Sequence, residues 1–150
     1  MENLQKYDLN DSFAFLISRT HSAMNRRLLK NFKDNNHPLS SEQYTVMLHL
    51  WDKDKRCQRE LCCATGKDKP GITRIIDKLE QLGYVERIDD SIDRRMKLVQ
   101  LTETGRALEE KSNELALKTL KEFLEDVECK DFDLVKSVLR KVIEKFEVLE

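Results

Sequence analysis

The sequence predicts a mainly α-helical chain with one small β-hairpin, a winged helix-turn-helix lobe between N- and C-terminal dimerisation helices. Three observations carry this. Ile72, Ile75, Ile76, Leu79 and Leu82 share one face of a helical stretch, with Thr73, Arg74, Asp77 and Lys78 on the other. Gly83 follows and supplies the left-handed residue that ends helices. Two short runs of alternating apolar and polar residues, 84–88 and 96–101, then enclose an Asp-rich turn that ends in Arg94 and Arg95. A helix with a polar, partly basic face beside an arginine-tipped hairpin is a surface shaped to meet duplex DNA at two grooves.

In chain order, Asp11 or Ser12 can cap a helix running to about residue 33, with Phe13, Leu16, Ile17, Thr20, Met24 and Leu28 as its stripe. The Asn-Asn-His-Pro segment at 35–38 ends it, because a residue before proline is pushed out of helical geometry. Ser40 or Ser41 starts a second helix, with Tyr44, Met47, Leu48 and Trp51 facing inward. Residues 52–56 read as a basic loop, 58–64 as a short helix and 65–69 as a turn. Pro70 suits the first turn of the recognition helix, where its missing N–H costs nothing.

After the hairpin, Thr102 is placed to cap a long helix reaching about residue 125, with Leu108, Leu115, Leu120 and Leu124 along it. Asp131 is placed to cap a last helix. There Phe132, Val135, Val138, Leu139, Val142, Phe146 and Leu149 recur at three- and four-residue steps. That stripe must pack on the N-terminal helix, on a second copy of the chain, or on both, and a dimer built from the two ends is the expectation. The organisation is a single domain over 1–150. Its DNA-binding part spans about 39–102, and its dimerisation helices span about 11–34 and 103–149.

Composition agrees with helices. The 150 residues include only four Gly and two Pro, too few for many turns, while 39% are hydrophobic and 37% charged. No run of 18 apolar residues exists to span a membrane, and the first twelve residues lack the basic and apolar regions of a signal peptide, so the expected location is the cytoplasm. The net charge of −1 divides unevenly. Residues 1–52 carry 6 basic and 6 acidic side chains, 53–97 carry 12 and 9, and 98–150 carry 9 and 13. Attraction to phosphate depends on the local patch, so a neutral total does not exclude nucleic acid. Enzymatic chemistry is not expected: no glycine-rich phosphate loop, metal-hydrolase motif or nucleophile elbow occurs.

With these residues in view, the chain resembles the MarR family of bacterial winged-helix regulators. LSSEQYTVMLHL resembles the family's second helix and QREL its short third helix. DKPGITRIIDKLEQLGYVERIDDSIDRR and the following LTETG resemble the recognition helix, the wing and the start of the fifth helix. The likeness covers residues 39–105, and the D-R-R of the wing with L-T-x-x-G is its specific part. It implies a homodimer with interleaved ends, a roughly palindromic operator on double-stranded DNA, repression of transcription, and relief by a small ligand, often aromatic or phenolic.

Thr73 and Arg74 are expected to face the major groove, where Arg can pair two hydrogen bonds with guanine; a salt bridge from Arg74 to Asp77, or plain solvation, is the bland alternative. Lys67, Lys69 and Lys78 are expected on phosphates, or simply in solvent. Gly71 allows either close approach to DNA or tight packing. By resemblance, one of Arg94 and Arg95 enters the minor groove and Asp93 orients the loop through a salt bridge. Ser40, Ser41 and Gln58 sit at helix starts, where free N–H groups suit phosphate, although capping alone accounts for the serines. Cys57 stands where the family usually has Thr or Ser as cap, which weakens the phosphate contact usual there.

Cys57, Cys62, Cys63 and Cys129 with His21, His37 and His49 form no ligand-spaced motif, so no metal or cofactor is expected and the thiols read as buried or incidental. The family's peroxide sensors carry a cysteine in the first helix, which this chain lacks. A thiol- or zinc-responsive regulator on the same fold, or a winged helix serving only protein assembly, are the alternatives. Phe13, His21, Met24, Met47 and Trp51 are candidate lining residues for a ligand pocket between the dimer helices and the DNA-binding lobe.

Overall fold

The computed structural model describes residues 12–93 and 95–147. Asp11, Arg94, Leu149 and the side chain of Phe146, all used in the sequence reading, lie outside them.

Helix α1 (Phe13–Asp34) starts at Ser12, whose hydroxyl accepts from the Phe15 N–H at 3.3 Å. It stops four residues before the proline. Asn36 takes a left-handed conformation (φ 52°), and N–H groups of Asn36 and His37 donate to the carbonyls of Lys33 (3.1 Å) and Phe32 (2.8 Å). That double closure is a Schellman-type cap, so asparagine rather than Pro38 ends the helix. Ser40 opens α2 (Ser41–Asp52) through a reciprocal box: its hydroxyl accepts from the Gln43 N–H at 3.2 Å, and its own N–H donates to the Gln43 side chain at 2.8 Å.

Strand β1 (Arg56–Cys57), α3 (Gln58–Thr65), α4 (Lys69–Gln81), β2 (Val85–Asp89) and β3 (Lys97–Leu101) complete the lobe. The strands form an antiparallel sheet in the order β1-β3-β2, with Arg87 opposite Val99 on one side of β3 and Arg56 opposite Val99 on the other. The expected two-stranded hairpin therefore has a third strand. It is only two residues long, and it pairs through backbone groups that leave no periodic trace.

The long helix expected from Thr102 is broken into α5 (Glu103–Ala107) and α6 (Glu109–Leu124) at Leu108. The break follows from what anchors α5. Thr102 donates its N–H to the Tyr84 carbonyl (3.1 Å) and its hydroxyl to the Gly83 carbonyl (2.6 Å). A Cβ on Gly105 would lie 2.0 Å from the Tyr84 oxygen, so only glycine lets α5 approach this closely. The indole of Trp51 donates to the Gly105 carbonyl at 3.1 Å, and the Leu108 N–H reaches the same oxygen at 3.4 Å. The L-T-x-x-G motif is thus a clamp on the end of α4. Helix α7 (Cys129–Glu147) begins two residues before Asp131, which lies in its first turn instead of capping it.

The core gathers the end of α1, helices α2 to α4, the sheet and Leu115 of α6, with Met47, Leu50, Leu61, Ile72, Ile76 and Leu79 fully buried. In α2, Leu48 turns outward, and Val46 and Leu50 occupy the inner positions that its stripe had been expected to share. Among the described residues no helix is long and apolar enough to cross a membrane.

Candidate nucleic-acid interface

The interface is built around α4. Asp68 caps the helix by accepting the Gly71 N–H at 2.9 Å, and a Cβ at position 71 would sit 2.6 Å from that carboxylate oxygen. Room for the cap therefore accounts for Gly71 within the fold. Burial of Ile72, Ile75, Ile76 and Leu79 turns Thr73, Arg74, Asp77 and Lys78 away from the core. Leu82, expected with the buried set, is partly exposed, because it lies past the last turn as the C-cap. Gly83 closes the helix at φ 76°, with its N–H and that of Tyr84 donating to the carbonyls of Glu80 and Leu79 at 2.9 Å each.

Arg74 is exposed and has no side-chain partner among the described residues. Asp77, one of its two bland alternatives, is taken by Arg87 of β2, which also pairs with Glu80, and the other, solvation, stays open. Arg87 escaped the sequence reading; it ties the hairpin to the outer face of α4. Gln58 donates its side-chain amide to the Lys69 carbonyl (3.2 Å) and to the Thr73 hydroxyl, and Thr73 donates to the Lys69 carbonyl at 2.8 Å. These two residues lock α3 against α4. The N–H of Cys57 donates to the Glu60 carboxylate at 2.7 Å, and that bond chiefly holds Glu60 below its ordinary pKa.

Two clefts flank the start of α4. One, of about 530 Å³, is lined by Ser40, Lys67, Gly71, Arg74 and Lys78, five residues singled out from sequence, with Glu42 and Asp68 as its acids. The other, of about 790 Å³, brings Gln58, Lys67, Lys69 and Arg95 together and adds two cations the sequence reading missed, Arg59 and Lys97. Lys67 stands between the clefts and pairs with Glu42 at 2.8 Å, and Lys78 donates to Gln81 at 2.9 Å. Ser41 lines neither cleft; its carbonyl accepts from Thr45 at 2.9 Å.

In the hairpin turn, Asp93 accepts the Arg95 N–H at 3.0 Å, and its carbonyl accepts the Met96 N–H at 2.8 Å. Asp90 likewise accepts the N–H groups of Ile92 (2.6 Å) and Asp93 (3.2 Å). Asp93 thus orients the loop through the backbone, and among the described residues it forms no ion pair. Lys97 pairs with Asp89 across the last strand pair before the turn.

The five ligand-pocket candidates do not come together. Met47 is fully buried in the core, Trp51 is committed to Gly105, Phe13 is 56% exposed, and His21 shares a surface hydrogen bond of 2.9 Å with Asn25. Met24 lies half-buried on α1. An apolar cavity of about 350 Å³ lies instead between α2 and α6, lined by Tyr44, Asn113, Ala116, Leu117 and Leu120. Burial pushes the Tyr44 phenol above its ordinary pKa. Cys63 and Cys129 are exposed, which leaves only the incidental half of the expectation for these two thiols, while Cys57 and Cys62 are partly buried. Among the described residues no cluster of three or more His, Cys, Asp or Glu is placed to hold a metal ion.

Residues 28–115 match the family model of the transcriptional regulator SarA/Rot. The chain belongs to this family. Among curated proteins, a stretch of 46 residues is 48% identical to the transcriptional repressor MprA of Escherichia coli (strain K12), covering 31% of this chain and 26% of MprA. The match therefore spans about a quarter of that relative's length. Among solved structures, the fold is shared with a MarR-family regulator from Rhodococcus sp. RHA1, at TM-score 0.81 and 24% identity over 91% of this chain and 96% of the other. It is shared too with the repressor CouR of Rhodococcus jostii RHA1 bound to a 23-mer DNA duplex, at TM-score 0.77 and 22% identity over 93% and 99%. The resemblance read from residues 39–105, and the mainly helical winged-helix class with it, are borne out.

Proposed function

We propose that this SarA/Rot-family regulator works as a homodimer that binds a pseudo-palindromic DNA operator and represses transcription. The observation that carries the reading is the pair of basic clefts on either side of α4, an exposed helix whose Arg74 is spared from internal pairing. Arg74 and Thr73 read base edges, Thr73 through its methyl or its hydroxyl lone pairs, while Lys67, Lys69 and Lys78 hold phosphates and the arginines of the turn reach the adjacent minor groove. Ser40, Ser41, Gln58 and Asp93 act indirectly, by setting helix starts and loop shape. Dimerisation is assigned to the apolar residues that α1 and α7 leave at the surface, Phe13, Leu16 and Ile17 with Leu134, Val135 and Val138. Two copies joined there would present two reading helices to successive major grooves.

Duplexes selected from a random pool test this by fluorescence anisotropy. Arg74→Ala is expected to weaken the selected duplex by about tenfold or more, on the order of the 1–3 kcal/mol of one bidentate base contact, and Arg95→Ala by less. Undiminished binding by both variants would reject the assigned surface.

Relief by an aromatic or phenolic ligand is assigned to the Tyr44–Leu120 cavity. CouR has been solved with p-coumaroyl-CoA, and a cavity walled by leucines with a phenol and an amide at its edge suits a ring carrying one polar group. A panel of phenolic acids should release bound duplex from the wild type and fail to do so from Leu117→Trp, which fills the cavity. Equal release from both would move the ligand elsewhere.

A further inference from the structure

The bend between α1 and α2 joins the helices assigned above to the dimer with the lobe assigned to DNA, and it holds an imidazole. His37 is half-buried there, against the Phe32 ring at 4.3 Å between centroids. Each nitrogen of its ring has a partner from a different part of the chain. Nε2 lies 2.9 Å from the hydroxyl of Ser112, which is fully buried on α6, and Nδ1 accepts the N–H of buried Leu39 at 3.4 Å. The Ser112 hydroxyl has a single proton and donates it to the Leu108 carbonyl at 2.6 Å. Ser112 can therefore only accept from the imidazole, which fixes the ring proton on Nε2 and leaves a lone pair on Nδ1 toward Leu39. A neutral ring of that one tautomer satisfies every one of these groups. A second proton would fall on Nδ1 and set two N–H donors face to face, so the ring must then leave its seat.

We infer that His37 is an acid-released latch on the α1–α2 junction, through which falling pH loosens the DNA-binding lobe from the dimer helices and weakens duplex binding. The inference rests on the DNA-binding reading above and adds a regulatory input to it. Two reading helices must meet successive major grooves at one spacing, so a lobe free to tilt binds duplex less tightly. Release is local to this joint, because α1 stays fixed on α6 elsewhere. Asn31 donates to Thr119 at 2.8 Å, and the hydrogen bond from Arg27 to Glu122 holds the arginine above and the carboxylate below its ordinary pKa. The charged and titratable groups on the elements around the ring are Lys33 and Asp34 of α1, Glu42 and Tyr44 of α2, and Lys111 of α6. Glu42 is paired with Lys67, and Lys111 with Glu114. Burial of His37, and after it the positive charge of Lys111, hold its pKa below the ordinary imidazole value, so the latch is closed at neutral pH. The open junction takes up the proton more readily than the closed one, so closure is favoured above the titration and lost as pH falls through it.

The test uses the full chain and the selected fluorescent duplex, titrated at constant ionic strength from about pH 7.5 down to about pH 5.5, the range in which histidine charges. The variants are His37→Gln, which offers a donor and an acceptor without titrating, and Lys111→Met. Wild-type affinity should fall at least about threefold more than that of His37→Gln across this interval, within the ceiling of about tenfold per pH unit that one proton allows. Titration of His21 and His49 is common to both proteins and cancels in the ratio. In Lys111→Met the imidazole loses a repelling cation, so the fall should begin at a higher pH than in wild type. In the duplex-free wild type, nitrogen NMR of the ring should show the proton on Nε2, and the Leu39 amide signal should move as His37 titrates. Parallel affinity profiles for wild type and His37→Gln, or a ring proton on Nδ1, would overturn the latch and leave the α4 interface standing. Should His37→Gln not fold, Lys111→Met decides, since a fall that begins no higher than in wild type overturns the latch. A wild-type chain that binds no duplex at any pH would overturn the regulatory role together with the DNA-binding reading.

Discussion

Helices α4 and α7 carry the same kind of sequence pattern and meet opposite fates. In α4, Ile72, Ile76 and Leu79 are completely shielded from solvent, whereas in α7, Leu134 is 64%, Val135 53%, Val138 42% and Ile143 53% exposed. The pattern is equally apolar in both, so periodicity states only that a face requires cover. In α4 the cover comes from the same chain, from α2, α3 and the sheet. In α7 the subunit supplies little, and a second copy is the cover proposed above. The difference separates residues that stabilise the subunit from residues proposed to make it associate.

The largest test of this contrast is Ile76→Ala. Removing a fully buried isoleucine should lower unfolding free energy by about 2–5 kcal/mol, read from urea midpoints. The shift should be the same at low and high protein concentration if α4 is covered within the subunit. Gly105→Ala comes next, because a methyl group there meets the backbone oxygen of Tyr84, which belongs to no flexible side chain. An overpacking loss of about 1–3 kcal/mol is expected, together with a weaker hold of α5 on the end of α4.

A smaller effect should follow pH. His37 links the α1–α2 junction to α6 through Ser112, at 2.9 Å, and rests against the Phe32 ring at 4.3 Å between centroids. Burial, with nearby Lys111, lowers its pKa from 6.5. The unfolded chain then takes up the proton first, so stability present above about pH 6.5 is lost as pH falls below it. His37→Gln should flatten that part of the pH profile relative to wild type, and an unaltered profile would remove His37 from the account. The smallest change in folded structure is expected from Val138→Asp. Circular dichroism should remain near native while the mass measured by light scattering falls to that of one 17.7 kDa subunit. Retention of the dimer by this variant would break the contrast between the two helices.

Much of the lobe was legible because its determinants are local. Gly83 marked the end of α4 correctly, since a left-handed cap needs only one residue type at one place. The inward face of α4 and the two main strands were readable from their periods of 3.6 and 2. Other features depended on atoms far apart in sequence. Strand β1 exists because Arg56 and Cys57 reach β3, and the break at Leu108 exists because Tyr84, Gly83 and Trp51 bind the Thr102–Gly105 turn. Arg59 looked like any charged residue of a short helix until α3 was folded beside the hairpin. The proposed ligand-pocket set failed for a related reason: an apolar stripe does not distinguish Met47, packed into the core, from Phe13, left at the surface.

Read alone, then, the order of amino acids determined the helical class, the position of α4, the arginine-bearing turn and the presence of an apolar face on α7. Each of these follows from side-chain periodicity or from a single conformationally special residue. Tertiary structure decided which cations share a cleft, which acids are already spent on caps and pairs, and which apolar faces the subunit covers for itself. Those outcomes turn on distances between segments many residues apart, and such distances arise only when the core closes.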